Sequence, residues 1–437
     1  MCIGGMLMKR ISISLIILAT VGCFILLGCE KEKAKNTKKT DEIFAGADFE
    51  YFKPFADSDK SYCLLNEGVE LPVMDQTIGS CWAYASVTSM ESSYKLKTGK
   101  KWIADPQDIV NGAFIKDLGE TDKDEGLYIS QGEPGEYGGG TPTVFSVMGT
   151  KPVNGCMISD MYMNLESDIE TTKKMIREIG AVSCSMNSQL LYNPNKHHGY
   201  KTYNYAGKSV NHVVTLVGWD DAFPAEAFRP KAKQNGAWLA QNSHSEKFGN
   251  NGYFWLSYDI DISAVVYVPT DKYKSGQTYV NYPVEVVNPE GDEVAFASVY
   301  EINGKLGAVG VFSGVDEKDL SYTIEILDGE SGKELLSFSG KDDIYGYHLE
   351  ELPEELEVGT CTVVVHRKKN IPVEGESKEI DMEGTSPGNV YNVTKSEPGR
   401  SFIKIDGKWV DITTKDIKEK LGIEFMPGDV CIPVLYN

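Results

Sequence analysis

Gln76-Thr77-Ile78-Gly79-Ser80-Cys81-Trp82-Ala83-Tyr84-Ala85 sets a cysteine between a Gly-Ser turn and the first residues of an apolar segment. From Ser80 to about Lys97 the pattern predicts a helix, with Trp82, Ala85, Val87, Met90 and Tyr94 spread over more than one face. Thr98-Gly99 ends it. At a helix start, free backbone N–H groups and the dipole favour a thiolate over a thiol. A lone cysteine is nevertheless more often a small core residue than a nucleophile. The residues that accompany Cys81 have to decide.

The chain has 437 residues and nine cysteines, at 2, 23, 29, 63, 81, 156, 184, 361 and 431, with no CxxC pair or zinc-ligand spacing. A net charge of −21 argues against a nucleic-acid partner, which clustered Lys and Arg would serve. The first 28 residues read as a signal peptide: Lys9-Arg10 open an apolar run, Ile11 to Leu27, that ends in Leu26-Leu27-Gly28-Cys29. This ending resembles the lipobox of bacterial lipoproteins, which implies lipidation at Cys29, a cell-membrane anchor and an extracellular protein. Residues 29–45 read as a lysine-rich tether.

Beyond the Cys81 helix, helical patches are expected near Pro106–Ile115 and Asp168–Ile179. Strands follow at 181–186, 210–219, 236–241 and 253–258. Helices first and strands later give an α+β unit of two lobes, one helical and one β-rich. After about Val268, short β-branched runs at 284–287, 295–300, 306–312, 322–327, 362–366, 401–405 and 431–435 suggest a β-sandwich. The expected domains are therefore 46–268 and 269–437.

A nucleophilic thiol needs a base and a group to orient it. His212, at the entrance of Val210-Asn211-His212-Val213-Val214-Thr215-Leu216-Val217-Gly218-Trp219, is the best-placed of the six histidines. Asn242, in Ala240-Gln241-Asn242-Ser243, follows another strand and could fix its tautomer. Gln76 carries an amide five residues before Cys81 that could donate to an oxyanion beside the Cys81 N–H.

In order and context these segments resemble the papain family of cysteine peptidases. His212 and Asn242 lie 131 and 161 residues after Cys81, near that family's spacing of about 130–150. Asp105-Pro106-Gln107-Asp108-Ile109-Val110 and Gly138-Gly139-Gly140-Thr141-Pro142 resemble two further segments of the family. The resemblance covers about residues 60–260. It implies a papain-like fold and a Cys81-His212-Asn242 triad with Gln76 as oxyanion donor. It also implies a cleft edge at Gly139 and Gly140, with a pocket bordered by Thr141, Pro142, Cys184 and Val210. The expected reaction is peptide-bond hydrolysis through a thioester, with a peptide or protein substrate and no metal or organic cofactor. Residues 269–437 resemble the lectin-like domain that follows such peptidases in anaerobic Gram-positive bacteria, which implies a glycan partner. Two readings compete with hydrolysis: a silent surface adhesin, and an acyl transferase on the same triad.

Three departures from the family stand out. Ile78 and Asn111 replace both ends of one structural disulfide. The stretch between Cys29 and the peptidase unit is shorter than the usual inhibitory prodomain. His244 stands where the family has a tryptophan that covers the histidine–asparagine hydrogen bond, although Phe248 follows closely. A smaller, wetter ring there predicts weaker shielding.

Overall fold

A computed structural model describes residues 37–437 except 77–78, 117–125, 130–137, 208, 279–283, 292, 314–320, 331, 343, 376–377, 380–389 and 394. Cys29 and the expected signal peptide lie outside the described residues. Of the tether expected over 29–45, residues 29–36 also lie outside the described residues. Thr37–Ile43 is a helix, α1, and Phe44 after it is buried with its ring stacked on Trp255 at 5.6 Å. A lysine-rich run conceals one aromatic anchor, which composition averages away.

The Cys81 helix, α2, spans Cys81–Thr98 and ends at Gly99 in the left-handed region. It is buried on nearly every side from Trp82 to Tyr94, serines included. These serines are satisfied, as buried hydroxyls must be. Ser93 Oγ donates to the Tyr267 carbonyl at 2.6 Å, and Ser89 Oγ accepts from the Tyr267 N–H at 3.1 Å. Ser92 Oγ accepts from the Ala181 N–H at 2.6 Å. The helix is thereby fixed to the strand Ser263–Thr270 and to the residue that leads into the strand Val182–Met186, which sets the position of its first residue. Helix α3 (Pro106–Ala113) has Asp105 as its N-cap and Pro106 in its first turn. Helices α4 (Thr141–Met148) and α5 (Ile169–Glu178) follow, the latter capped by Asp168 through the Thr171 N–H at 2.7 Å.

The β-rich lobe is built on strands β1 (Ser61–Cys63), β2 (Met157–Asn164), β3 (Val182–Met186), β4 (His212–Asp220), β5 (Ala237–Gln241), β6 (Tyr253–Ser257) and β7 (Ser263–Thr270). They lie in the order β2-β7-β3-β4-β5-β6, with β1 also on β4, every neighbouring pair antiparallel. All nine residues of β4 are buried. Its unbroken apolar run therefore marks a central strand covered on both faces.

The C-terminal half is sheet-rich and not separate. Among its strands are β8 (Val294–Phe312), β9 (Ser321–Asp328), β10 (Glu334–Lys341), β11 (Gly346–Arg367), β12 (Ser401–Ile405) and β13 (Val434–Tyr436). The runs at 295–300 and 306–312, read as two strands, are one strand, β8. Its register against β11 shifts between Glu301 and Gly304 and again between Leu306 and Ala308. Such bulges break the alternation of side chains and so make one strand read as two. The start of β11 pairs with β2 of the other half: Gly346 with Tyr162, Tyr347 with Met161 and His348 with Asp160. One hydrogen-bonded sheet of 16 strands thus runs through both halves, and the boundary expected at Val268 falls inside β7.

Side chains reinforce that seam. Phe145 of α4, Phe312 of β8 and Tyr347 of β11 pack with ring centroids 4.8–5.0 Å apart. Burying a ring such as Phe145 contributes about 1.5–3 kcal/mol. Short strands with turns between them predict a separate module, but long-range packing joins this one to the helical lobe.

Candidate active site

Cys81 is the first residue of α2, after the N-cap Ser80. Six cysteines lie among the described residues, none in a disulfide, and Cys81 alone is not buried. Burial pushes the thiols of Cys63 and Cys361 up to about 12 and that of Cys156 up to about 11. These behave as small apolar residues. The one thiol that water and a substrate can reach sits at a helix N-terminus, where a thiolate is stabilised.

His212 is the first residue of β4 and is 5% exposed. Asn242 follows β5 directly and is 1% exposed. The His212 Nε2 lies 2.8 Å from the Asn242 Oδ1. An amide oxygen only accepts, so this bond puts the ring proton on Nε2 and leaves Nδ1 as the basic nitrogen. The Asn- and Gly-rich turn after Asn242 holds it in place: its backbone N–H donates to the Gly252 carbonyl at 2.9 Å. Burial drives the imidazole down to about 4, with the Asn242 bond opposing and His244 adding to the fall. A preformed thiolate–imidazolium pair is therefore opposed by desolvation, and the resting ring is a neutral base.

Residues 74–76 run beside 243–245 as a short paired segment. The Gln76 N–H donates to the Ser243 carbonyl at 2.8 Å, and the Ser245 N–H donates to the Met74 carbonyl at 3.1 Å. Asp75 and His244 face each other in a β-bridge. The Ser243 hydroxyl donates to the Gln76 Oε1 at 2.5 Å, which makes Nε2 the donor end of that amide. Gln76 and Asn242, distant in sequence, are thus fixed to one piece of backbone.

The space expected for a tryptophan holds two side chains. The His244 ring lies 5.8 Å from the His212 ring with 27° between their planes. Tyr192 stands across both, at 6.2 Å from His212 and 5.1 Å from His244. Its hydroxyl is 2.9 Å from the His244 Nε2 and 3.5 Å from the His212 Nε2. Burial, with charge on Cys81 adding and a bond with Asn242 opposing, raises the phenol to about 12. Tyr192 therefore faces the base and the thiol together. Nothing in the sequence pointed to it, because Ser188-Gln189-Leu190-Leu191-Tyr192-Asn193-Pro194-Asn195 reads only as a polar loop.

The cleft edge is met in part. A Cβ on Gly139 would stand 2.6 Å from the Trp82 indole, so glycine there lets the residue next to the nucleophile pack beneath it. A Cβ on Gly140 would meet nothing within 4 Å, which leaves that edge open. Thr141 begins α4 and its hydroxyl lies 3.1 Å from the Tyr267 hydroxyl; Pro142 is the second residue of that helix. Val210 is 53% exposed and precedes β4. Cys184 departs from expectation: it is fully buried in the core of the β-rich lobe and presents no surface to a substrate. On β3 its side chain faces the core side of the alternation, which strand position alone did not reveal. Among the described residues, no cluster of three or more His, Cys, Asp or Glu could hold a metal ion.

Comparison with known proteins agrees with this geometry. A family model described as Papain family cysteine protease matches residues 139–270, which include His212 and Asn242. Residues 139–270 are thus similar to a papain-family domain. The oryzain gamma chain of Oryza sativa subsp. japonica is 27% identical over 206 residues, covering 43% of this chain and 52% of its own length. Cathepsin K of Mus musculus is 24% identical over 210 residues, covering 44% and 57%. The chain thus spans about half the length of these relatives. Beyond the papain-family domain, the fold is similar to the crystal structure of the cysteine protease and lectin-like domains of Cwp84, a surface layer associated protein of Clostridium difficile. The TM-score is 0.64 and the identity 19%, over 86% of this chain and 89% of that one. That likeness extends through the sheet-rich half. Among the described residues no helix is long and apolar enough to cross a membrane.

Proposed function

We propose that this protein is a cysteine endopeptidase that works outside the cell, tethered to the membrane through Cys29. The observation that carries the reading is the buried His212 Nε2 on the Asn242 Oδ1 at 2.8 Å, where the one thiol not buried among the described residues opens a helix. The Cys81 proton passes to His212 Nδ1 as the sulfur attacks the peptide carbonyl, since desolvation disfavours a charged ring beforehand. The Cys81 N–H and Gln76 Nε2 stabilise the oxyanion. His212 then delivers its proton to the leaving amine, and water, deprotonated by the same nitrogen, hydrolyses the thioester.

The apolar run before Cys29 supports the anchor, and the surface location named for Cwp84 supports an extracellular site of action. The sheet-rich half, similar in fold to a segment called lectin-like, is proposed to bind a glycan while bracing the helical lobe. Covalent labelling by an epoxysuccinyl peptide tests the chemistry, with Cys81→Ala as control. Stoichiometric labelling of the reduced protein and none of the variant is expected. A folded, reduced protein that takes no label would refute the nucleophile.

A further inference from the structure

A second cluster of polar side chains lies beyond Tyr192, and the triad does not use it. The loop carrying Leu190 and Asn193, the short strand Thr202–Tyr203 and the Arg229-Pro230 turn enclose a cavity of about 230 Å³. Lys196, His197, Lys201 and Arg229 line it, and no Asp or Glu does. In a chain of net charge −21 this is an unusual concentration of cations.

The site has a floor and pinned walls. Lys201 is 4% exposed, its ammonium donates to the Asn193 carbonyl, and it stands 5.7 Å from the Phe248 ring. Burial, with Lys196 nearby, lowers its affinity for its own proton. Arg229 is held by the carbonyls of Glu226 and Phe228, each at 2.7 Å, and its Nη2 lies 2.6 Å from the His197 Nε2. Because that nitrogen must accept, the His197 proton sits on Nδ1, a buried donor with no partner. The Glu226 carboxylate turns away to Lys231 at 2.6 Å. Among the described residues, none of Lys196, Lys201 and Arg229 is paired with a carboxylate. A nearly buried ammonium beside two further cations costs free energy that an anion would recover.

The cavity adjoins the reacting groups. Leu190 and Asn193 flank Tyr192, whose hydroxyl is 3.5 Å from the His212 Nε2. In the peptidase reading His212 protonates the leaving amine, so the departing half of a substrate would begin at His212, on the side of Tyr192. We infer that the cavity is a subsite for a carboxylate of the peptide substrate, within the first few residues after the scissile bond. The carboxylate is that of an acidic side chain or of a chain terminus, and Lys201 and Arg229 receive it. This inference rests on the peptidase reading.

Peptide pairs that differ only as Glu or Gln, scanned over the first four positions after the cleaved bond, test it on the full chain. A second set compares free-acid and amidated C-termini. A preference for the charged member of about tenfold or more in kcat/KM is expected at one position, as a charge-assisted contact gives. It should shrink with added salt. In Arg229→Gln and Lys196→Gln the ratio should fall toward one. Preference in the first set alone identifies a side chain, and in the second alone a terminus. Binding of the same pairs to Cys81→Ala, read by fluorescence, separates the two readings. Absent turnover with a retained charged-over-neutral binding preference would refute the peptidase and keep the anion site. Equal rates and equal binding at every position, or ratios unchanged in both variants, would overturn the subsite.

Discussion

His212 and His348 are two equally hidden histidines with opposite tendencies. His212 is 5% exposed in the catalytic cleft, and His348 is 4% exposed on the seam between the halves. Burial lowers both. His212 faces a neutral amide and a second imidazole, so nothing outweighs burial and it falls to about 4. His348 has Asp160 Oδ1 at 3.6 Å from its Nδ1, Asp342 nearby, and the Ile344 carbonyl at 2.8 Å from its Nε2. These overcome burial and raise it. The chemistry of the partner, not the depth, decides whether a hidden histidine is a base in waiting or a structural cation. The cleft disfavours a charged histidine, whereas the seam favours one between two strands.

Replacing the amide with a carboxylate should erase the difference. Asn242→Asp is expected to raise His212 by a unit or more, roughly, by giving the imidazolium a buried counter-charge. In the native protein a protonated ring cannot take the Cys81 proton, so activity should fall only as the pH drops through about 4. The acid limb of kcat/KM in the variant should move to higher pH. An unmoved limb would show that His212 does not control it.

At the seam the effect is one of stability. His348→Gln should destabilise the fold by about 1–3 kcal/mol, because Asp160 and Asp342 then lose a buried charged partner. The sign follows from the raised folded value. Stabilisation by the His348 proton is complete below the unfolded value of about 6.5 and disappears as pH rises through the folded value. Thermal melts of protein and variant should therefore diverge at acidic pH and converge at alkaline pH. The opposite trend would mean that His348 is neutral in the fold.

Smaller changes probe the covering of the base. Tyr192→Phe removes the hydroxyl beside the two imidazoles and should lower kcat roughly fivefold, with KM nearly constant. His244→Trp should have little effect alone, because a larger ring must displace the phenol as it supplies apolar cover. In the Tyr192→Phe background its effect should become more favourable. Additive effects in this double-mutant cycle would show that the two side chains act independently.

Legibility in the sequence followed the range of the interaction. The start of α2 at Cys81, the helices near Pro106 and Asp168, and β5 and β6 to within a residue or two were readable, because periodicity and turns are local signals. Cys81, His212 and Asn242 were legible as candidates because each stands at or beside the end of such an element. Cys184 was misplaced, since an alternating pattern does not say which face of a central strand a substrate can reach.

By itself, then, the sequence determined most of the elements, the order of the two halves and four candidate site side chains. Tertiary structure alone decided that Tyr192 meets His244 across 52 residues, that β11 joins β2 to weld the halves, and that four basic side chains share one cavity. The reason is physical. Backbone geometry and side-chain periodicity act over a few residues, whereas these contacts depend on loop closure and packing between segments that no spacing rule connects.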